Sequence, residues 1–487
     1  MIDLSFFNGH RVAVLGLGKS GLAAARALVA AGAQVWAWDD DAAVRAAAEE
    51  AEIPVVDLVQ ADWLQPVSLV LSPGIPHSFP LPHPVVDLAR EHGVEIISDI
   101  ELLGRADPDA QFIGITGTNG KSTTTALVGH ILDLSGRRAE TGGNLGRPVA
   151  SFDPVGADGY HVQEPLPEGG VYVLELSSYQ LELTHCITHN VAVLLNITPD
   201  HLDRHGGFAG YVAAKKTIFR RQSNPRVAII GQDDQSCRDL YQELKKTGDQ
   251  RVIPISGSRE TPGGVFVRDG VLIDDLDGQR QPVLDLKQIP SLPGAHNWQN
   301  AAAAYATCRC CQLDPPIIAA CLRSFPGLPH RQELVAIIDA VAYVNDSKAT
   351  NPEAAAKALS SYPRSYWIAG GRAKEGGLDP LFAHLDRVAE VFLIGEAQDA
   401  VATALAGKAK TRNCGDLATA LAHAAVAVRN DQSGQPLTVL LSPACASFDQ
   451  FKSFEERGNL FKKAVSALPG DRGAPEEAAL LGLGDRS

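Results

Sequence analysis

The sequence predicts an α/β protein that is built from three domains in series. Its 487 residues are too many for one ordinary domain, because domains usually hold about 100–200 residues. Short apolar, β-branched runs alternate along the chain with Ala- and Leu-rich helical stretches, and two strand–helix junctions carry glycine-rich turns. Strands that alternate with helices predict mostly parallel sheets, whose ligands lie at the carboxyl ends of the strands.

The first predicted domain, residues 1–105, begins with a strand, a glycine-rich turn, a helix and a second strand. The strand "RVAVL" (11–15) is followed by "GLGKSG" (16–21), and the strand "QVWAW" (34–38) ends just before Asp39. This order predicts a Rossmann-like domain whose turn approaches a diphosphate at a helix N-terminus. NAD is the default ligand of the pattern, UDP presents a similar diphosphate and ribose, and a tight turn without a ligand is the third reading.

The second predicted domain, residues 106–327, contains a turn that resembles a phosphate-binding P-loop. In "GITGTNGKSTTT" (114–125), the strict P-loop spacing requires a glycine where Ile115 stands. Lys121 and Ser122 nevertheless follow in the order that places an ammonium on phosphates and a hydroxyl on Mg²⁺. A strand before the turn and a helix after it favour a phosphate site over a chance Gly-Lys-Ser triplet.

Further strands of this domain end at residues suited to hold a metal. Glu175 ends the strand "VYVLEL" (171–176), although a solvated strand-end acid is the alternative. His201 of "NITPDHLDRHGG" (196–207) is a candidate metal ligand, whereas loop hydrogen bonding is favoured for Asp203 and His205. The adjacent lysines of "GYVAAKKTIF" (210–219) indicate a solvated helix face unless a specific partner exists.

The third predicted domain, residues 328–487, contains the strands "AYVNDS", "SYWIAGG", "VFLIG" and "LTVLLSP" with helical segments between them. The segment from 153 to 170 is rich in Gly, Pro and acidic residues and is interpreted as a surface excursion. The tail from about residue 467 shows little packing pattern and is expected to be mobile.

Composition excludes several classes of protein. The net charge of -14 argues against a nucleic-acid-binding protein, and no apolar run approaches the roughly 20 residues of a membrane span. Among the eight cysteines only Cys308 and Cys311 have the C-x-x-C spacing, and they stand in an Ala-rich helical stretch, where packing in a helix interface is the favoured interpretation. A zinc site is therefore not expected, and reduced cysteines fit a cytoplasmic location. The N-terminus shows no signal-peptide pattern.

A set of motifs that occur in order resembles those of the Mur ligases, ATP-dependent amide-forming enzymes of peptidoglycan synthesis. The motifs extend over about residues 11–465 and are "GTNGKSTT", "ELSSYQL", "NITPDHLDRHG", "YVAAKK", "PGAHNWQNAAAA", "LPHRQE", "NDSKATNP" and "LSPACASFDQFKSFEERG". The phosphate loop of this family has the same shortened glycine spacing. "NDSKATNP" and the last motif resemble the members that add D-glutamate to UDP-N-acetylmuramoyl-L-alanine.

The resemblance implies a P-loop ATPase-like central domain, a Rossmann-like third domain and a role for individual residues. The implied catalytic residues are Lys121, Glu175, His201 and Lys215, with Ser122, Glu175, His201 and a carbamylated Lys215 as ligands of two Mg²⁺ ions. The implied ATP-binding residues are Gly117, Thr118, Asn119, Gly120, Lys121, Ser122, Thr123, Asn300, Arg331 and Asp346. The implied UDP-substrate residues are Gly18, Lys19, Ser20, Asp39, Ser72, Pro73, Gly74 and Asn144. The implied D-glutamate residues are Lys348, Thr350, Ser447 and Phe454.

The resemblance also implies the partners: ATP, UDP-N-acetylmuramoyl-L-alanine and D-glutamate, with no NAD, no zinc, no nucleic acid and no membrane, in a monomer. Lys19 within the first turn and the 153–170 excursion depart from the family pattern. Three alternatives stay open at this point. They are another ligase of the superfamily, such as a different Mur ligase or a folylpolyglutamate synthase, an NAD-dependent oxidoreductase, and a non-catalytic P-loop regulator.

Overall fold

The computed structural model describes residues 1–144, 146–153, 170–373 and 377–473. The chain forms two compact units. The first comprises residues 1–268, 273–283 and 299–322, and the second comprises residues 269–272, 284–298 and those from 323 on. The surface excursion expected at residues 153–170 lies outside the described residues except for its first and last residue. The part of the predicted tail from residue 474 on also lies outside them.

The N-terminal part of the first unit is a parallel sheet with the strand order β2-β1-β3-β4. Both strands predicted here, "RVAVL" and "QVWAW", are present as β1 and β2. The elements are β1 (Arg11–Leu15), α1 (Lys19–Ala30), β2 (Gln34–Trp38), α2 (Ala42–Glu50), β3 (Ser68–Leu71), α3 (Pro84–Glu91), β4 (Glu95–Ile97) and α4 (Asp99–Ala106). β1 and β3 are almost fully buried, so the carboxyl end of β1 leads directly into the glycine-rich turn at the middle of the sheet.

A nine-stranded sheet follows, with the strand order β13-β12-β11-β10-β9-β8-β5-β7-β6. Its elements and the two helices after them are β5 (Gln111–Thr116), α5 (Lys121–Leu134), β6 (Ala139–Gly143), β7 (Val171–Glu175), α6 (Ser178–Glu182), β8 (Val191–Leu194), α7 (Phe208–Lys216), β9 (Val227–Gly231), α8 (Gln235–Thr247), β10 (Arg251–Ser256), β11 (Val265–Arg268), β12 (Val271–Asp274), β13 (Gln281–Asp285), α9 (Ala295–Cys310) and α10 (Pro315–Arg323). β5 pairs in parallel with β7 and β8, so the turns that leave these three strands meet at one edge.

The second unit contains a six-stranded sheet with the strand order β14-β15-β19-β16-β17-β18. Its elements are β14 (Glu333–Ile338), β15 (Val341–Asn345), α11 (Pro352–Ser361), β16 (Arg364–Gly370), α12 (Asp379–Phe382), β17 (Val388–Ile394), α13 (Gln398–Leu405), β18 (Thr411–Gly415), α14 (Leu417–Arg429), β19 (Leu437–Leu441) and α15 (Phe454–Ser466). Within this sheet, as far as the structure describes it, β14 and β15 pair antiparallel and the other neighbouring strands pair in parallel. The α/β prediction is therefore confirmed.

Two features bear on the exclusions made from composition. In the part of the chain that the structure describes, no helix combines the length and the apolar character needed to span a membrane. No disulfide forms among the eight cysteines, all of which lie in the described residues, and Cys308 and Cys311 are buried. Burial raises the pKa of the Cys311 thiol to about 12, so this thiol stays protonated as the packing interpretation expected.

Candidate active site

The phosphate-binding turn lies between β5 and α5 and is shaped by two glycines with positive φ. Gly117 has φ 154° and Gly120 has φ 86°, a left-handed conformation that side chains other than glycine rarely adopt. Lys121 begins α5, and its ammonium donates to the main-chain oxygens of Gly117 and Thr118, each at 2.9 Å. The turn therefore gathers a cation at a helix N-terminus, which is an arrangement suited to an anion.

Neighbouring segments brace this turn. Asn119 N donates to Asn196 Oδ1 at 2.9 Å, and the Thr118 hydroxyl lies 3.1 Å from both the Thr198 carbonyl and the Tyr211 hydroxyl. The predicted ATP residue Asn300 packs against Gly120 so closely that a Cβ there would fall within 3.0 Å of the Asn300 amide oxygen. Gly120 is therefore required both by its φ and by this approach.

Lys215 reaches the same turn from helix α7. Its ammonium donates to Gly117 O at 2.8 Å and lies 3.4 Å from Thr116 Oγ1, while the side chain is 1% exposed. Burial, and secondly the charge of Lys121, lower the pKa of Lys215 well below its usual value. Its neighbour Lys216 is partly exposed and pairs with Glu243, so the solvated reading is right for Lys216 and wrong for Lys215.

Glu175 lies at the end of β7, beside the turn, and is 1% exposed. It is thus a buried carboxylate and not the solvated acid of the alternative reading. Asn144 Nδ2 donates to Glu175 Oε1 at 3.2 Å, so Asn144, which was predicted to lie near a sugar, contacts this carboxylate.

His201 stands in the loop that follows β8, with a left-handed backbone at φ 50° and a side chain that is 53% exposed. Partial burial lowers the pKa of His201, and Asp200, 3.6 Å away, opposes that shift. His205 is buried and hydrogen-bonded to Glu182 at 3.2 Å and to Ser178 at 2.9 Å, which confirms the loop-bonding interpretation.

Within the described ranges, no group of three or more His, Cys, Asp or Glu side chains is arranged to hold a metal ion. The predicted ligand set is of a different kind: one hydroxyl, one carboxylate, one imidazole and one modified lysine. Mg²⁺ at nucleotide sites is commonly bound by one or two carboxylates together with substrate phosphates, not by a cage of protein side chains. The buried Glu175 beside the turn fits Mg²⁺ in that mode.

The first-domain turn is built by three close approaches. Gly16 has φ 86°, and a Cβ on Gly21 would collide with the Gly16 carbonyl, so neither position tolerates a side chain. Asp39 accepts from Leu17 N at 2.7 Å, so its carboxylate holds the shape of the turn. The Ser72 hydroxyl donates to Gly16 O at 2.7 Å and ties the turn to the segment after β3.

The other predicted residues of this domain surround the turn. Gly18 and Lys19 are exposed at the N-terminus of α1, and Gly74 is exposed after β3. Ser20 lies beside the buried Asp99 and lowers its pKa, although burial raises that pKa overall. The structure therefore brings the predicted UDP residues of this domain together at the carboxyl end of its sheet.

In the second unit, Asp346 follows β15 and is buried. It accepts from Ser442 Oγ at 2.7 Å and from Gln332 N at 3.1 Å. Burial raises its pKa to about 7, against the opposing effect of these hydrogen bonds and of Arg331. The predicted nucleotide residues Arg331 and Asp346 are therefore close enough to interact.

The predicted D-glutamate residues also converge in this unit. The Lys348 ammonium lies 5.3 Å from the centre of the Phe454 ring, and the Ala349 carbonyl accepts from Ala444 N at 2.9 Å. Ser447 is buried in the same segment as Ala444, and Thr350, two residues after Lys348, donates from its main-chain N to Lys348 O at 2.8 Å. A cation, an aromatic face and a buried hydroxyl thus lie on two adjoining loops.

Two contributors were not found from the sequence. Tyr211 stands four residues before Lys215, and its ring lies 4.7 Å from the Lys215 ammonium, so helical spacing could have identified it. Arg457 is fully buried and donates to Ser347 Oγ at 2.9 Å and to Cys445 O at 3.3 Å, joining the two loops of the D-glutamate residues. No local pattern signals that role.

Models of one protein family match the chain in three successive segments. The Mur ligase MurD-like N-terminal domain matches residues 10–98, the Mur ligase middle domain matches 115–308, and the Mur ligase glutamate ligase domain matches 330–445. The three-domain order is therefore confirmed, while the boundaries at 105/106 and 327/328 stay predictions.

Relatives match the chain over nearly its full length, and a solved structure has a similar fold. The chain is 50% identical over 479 residues, 97% of its length and 98% of the relative's, to the UDP-N-acetylmuramoylalanine--D-glutamate ligase of Rhodospirillum rubrum. It is also 50% identical to the protein of that name from Paramagnetospirillum magneticum, covering 96% of this chain and 99% of the relative. The Thermotoga maritima UDP-N-acetylmuramate-alanine ligase structure matches with a TM-score of 0.57 at 17% identity, covering 94% of this chain and 99% of that one.

Proposed function

This chain belongs to the Mur ligase family, and we propose that it joins D-glutamate to UDP-N-acetylmuramoyl-L-alanine in peptidoglycan precursor synthesis. The family's enzymes are ATP-dependent ligases that form an amide bond, and this chain is one of them. One feature of the site supports this chemistry above all: Lys215 is buried against the carbonyl of the phosphate-binding turn, beside Lys121. A dehydrogenase or a simple P-loop regulator would not require Lys215 as a second buried lysine at this turn.

The reaction requires a carboxylate to attack a polyanion. An oxygen of the L-alanyl carboxylate attacks the γ-phosphorus of ATP, the bond to ADP breaks, and an acyl phosphate forms. Lys121, whose ammonium stands at the N-terminus of α5, would neutralise charge on the phosphates as it shifts toward ADP. The amine of D-glutamate then attacks the acyl carbon, and phosphate leaves with the former carboxylate oxygen while the amine loses a proton.

Burial gives Lys215 a second property that the reaction could use. Burial lowers the pKa of Lys215 well below its usual value and so favours the neutral amine, which has the lone pair needed to attack carbon dioxide. The product is a carbamate, formed with release of one proton. We propose this modification because it would place an anionic oxygen ligand beside the ammonium of Lys121.

Mg²⁺ would supply positive charge to the ATP phosphates when it is bound. Ser122 and Glu175 would hold one ion, and His201 with the carbamate of Lys215 would hold a second. Asn300, beside Gly120, and the pair Arg331 and Asp346 are proposed to contact the nucleotide. Gly117 to Thr123 would surround the phosphates.

The amino acid and the UDP-linked substrate are assigned to separate loops. Lys348 would pair with a carboxylate of D-glutamate while Phe454 limits the shape of the pocket, and Ser447 and Thr350 would donate hydrogen bonds. The first-domain turn with Ser72 and Gly74 would receive the UDP-linked substrate. We propose that the protein acts as a monomer on these small molecules in the cytoplasm.

The proposal is tested by ATP-dependent phosphate release with UDP-N-acetylmuramoyl-L-alanine and a panel of amino acids. Release is expected with D-glutamate and not with L-glutamate, L-lysine or meso-diaminopimelate. Activity with L-lysine or meso-diaminopimelate and none with D-glutamate would assign the chain to another reaction. Titration of tryptophan fluorescence with NADH and with UDP separates the oxidoreductase alternative, which requires binding of NADH and no response to UDP.

A further inference from the structure

A bridge within the first unit joins the turn at Ser72–Gly74 to the loop that carries His201. Its centre is Arg204, three residues after His201. We propose that Arg204 is a positioning residue, which fixes the turn that would receive the UDP-linked substrate relative to the loop that would hold the metal at the ATP phosphates. The inference rests on the proposed function for the identity of that substrate.

Arg204 makes one contact to each side. Its Nη1 donates to Gly74 O at 3.0 Å, and its guanidinium lies 4.5 Å from the centre of the Tyr179 ring. The same ring stands 5.5 Å, centre to centre, from the imidazole of His201. Arg204 and Tyr179 therefore connect the Gly74 turn to His201 through direct contacts.

The far side of the turn is also anchored. Ser72 Oγ donates to Gly16 O at 2.7 Å, and Gly16 begins the glycine-rich turn of the first domain. A continuous set of contacts thus runs from the predicted diphosphate site, through Ser72 and Gly74, to Arg204. It ends at the predicted metal ligand.

Two more contacts flank Arg204 and make the bridge specific to this pair of segments. His77 Nε2 lies 3.4 Å from Glu182 Oε2, and His205 Nδ1 lies 3.2 Å from the other oxygen of Glu182. A Cβ on Gly206 would lie 2.9 Å from the Phe79 ring, so glycine permits the loop to approach. Residues 72–79 therefore pack against residues 201–206 at several points, and Arg204 is the one that donates to the substrate turn itself.

Stability does not account for an arginine at this position. The Nε and Nη2 atoms of Arg204 are buried and find no hydrogen-bond acceptor among the residues that the structure describes. Buried donors without partners are unfavourable, so an apolar side chain of similar length should be tolerated by the fold. A residue that violates a local packing rule is expected at a functional position, where geometry is fixed at the expense of stability.

The test compares Arg204→Met and Arg204→Lys with Arg220→Met in the full-length enzyme. Arg220 is a matched control because it also donates to a main-chain oxygen, that of Thr184 at 3.0 Å, but contacts neither the turn nor the His201 loop. The measurements are KM for each of the three substrates, kcat, the thermal midpoint, and the calorimetric Kd of UDP-N-acetylmuramoyl-L-alanine.

Arg204→Met is expected to raise the KM and Kd for the UDP-linked substrate at least tenfold and to lower kcat. The KM for ATP should stay within twofold of wild type, the thermal midpoint should not fall, and Arg204→Lys should restore part of the affinity. Unchanged affinity for the UDP-linked substrate, or equal effects in Arg220→Met, would overturn the inference. A wild-type chain that binds this substrate without joining D-glutamate would refute the proposed function alone, and the Kd ratio would still decide the role of Arg204.

Discussion

Substitution of Gly120 by alanine is the sharpest perturbation of the phosphate-binding turn, because it adds one carbon at a position that the structure constrains twice. The left-handed backbone, with φ 86°, costs an alanine about 1–2 kcal/mol. The added Cβ would also fall within 3.0 Å of the Asn300 amide oxygen, which must move and weaken its 3.3 Å bond from Thr124 Oγ1. Loss of such a bond costs about 0.5–1.5 kcal/mol.

These two contributions sum to about 1.5–3.5 kcal/mol for restoring the native turn. If ATP binds only to the native turn, the cost appears in kcat/KM for ATP, which should fall by about 10- to 400-fold since each 1.36 kcal/mol is a factor of ten. The assay is phosphate release at varied ATP with both other substrates saturating. The KM for the UDP-linked substrate should stay within twofold.

The matched control is Gly136→Ala, just after the C-terminus of the same helix. Gly136 also has a positive φ, 75°, but nothing lies within 4 Å of an added Cβ. That variant should bear a backbone strain of about 1–2 kcal/mol without any change in kcat/KM for ATP. If Gly120→Ala kept kcat/KM for ATP within threefold of wild type, or if both variants lost it equally, the turn would not be the phosphate site.

Three other perturbations test separate parts of the account. Lys215→Ala should lose most of the activity and regain part of it with short carboxylic acids that substitute for the carbamate. The control Lys216→Ala, on the exposed side of the helix, should keep its activity. Equal losses in both variants, without rescue, would exclude the carbamate. Lys348→Ala should raise the KM for D-glutamate more than tenfold and leave that for ATP nearly unchanged, and an effect confined to ATP would remove Lys348 from the amino-acid site. Burial raises the pKa of Asp346 in the folded protein to about 7, above the ordinary pKa near 4. Protonation of Asp346 therefore stabilises the fold fully below about pH 4, and this stabilisation is lost as the pH rises to about 7. Asp346→Asn should therefore flatten the thermal midpoint between pH 4 and 7, and an unaltered profile would contradict the burial assigned to this carboxyl.

The order of strands along the chain was predictable because the buried strands of parallel sheets appear in the sequence as continuous apolar runs. "RVAVL", "VYVLEL" and "LTVLLSP" each correspond to a strand in the structure. The strands from Arg251 to Asp285 were not predicted, since Pro254 and the polar Thr261–Gly264 stretch interrupt their pattern. Tertiary packing outweighs local pattern in that region.

The candidate site was predictable where its chemistry follows a short sequence motif, and less so where it depends on contacts between residues far apart in the sequence. "GKS" after a strand located Lys121, and the buried Glu175 followed from its place at a strand end. Lys215 could not be separated from Lys216 by residue type, because only the orientation of α7 buries one and exposes the other. Arg204 lies 130 residues from Gly74 in the sequence, and nothing local predicts their contact.

Transfer of oxygen from the substrate carboxylate to phosphate tests the central claim, activation of a carboxylate by ATP, most directly. UDP-N-acetylmuramoyl-L-alanine labelled with ¹⁸O in its L-alanyl carboxylate would be incubated with ATP and D-glutamate, and the released phosphate examined by ³¹P NMR. One ¹⁸O atom is expected in each phosphate released, and this release should depend on D-glutamate and be absent in Lys121→Ala. Phosphate without label, released at the same rate, would show that ATP is hydrolysed by water and would contradict the assignment.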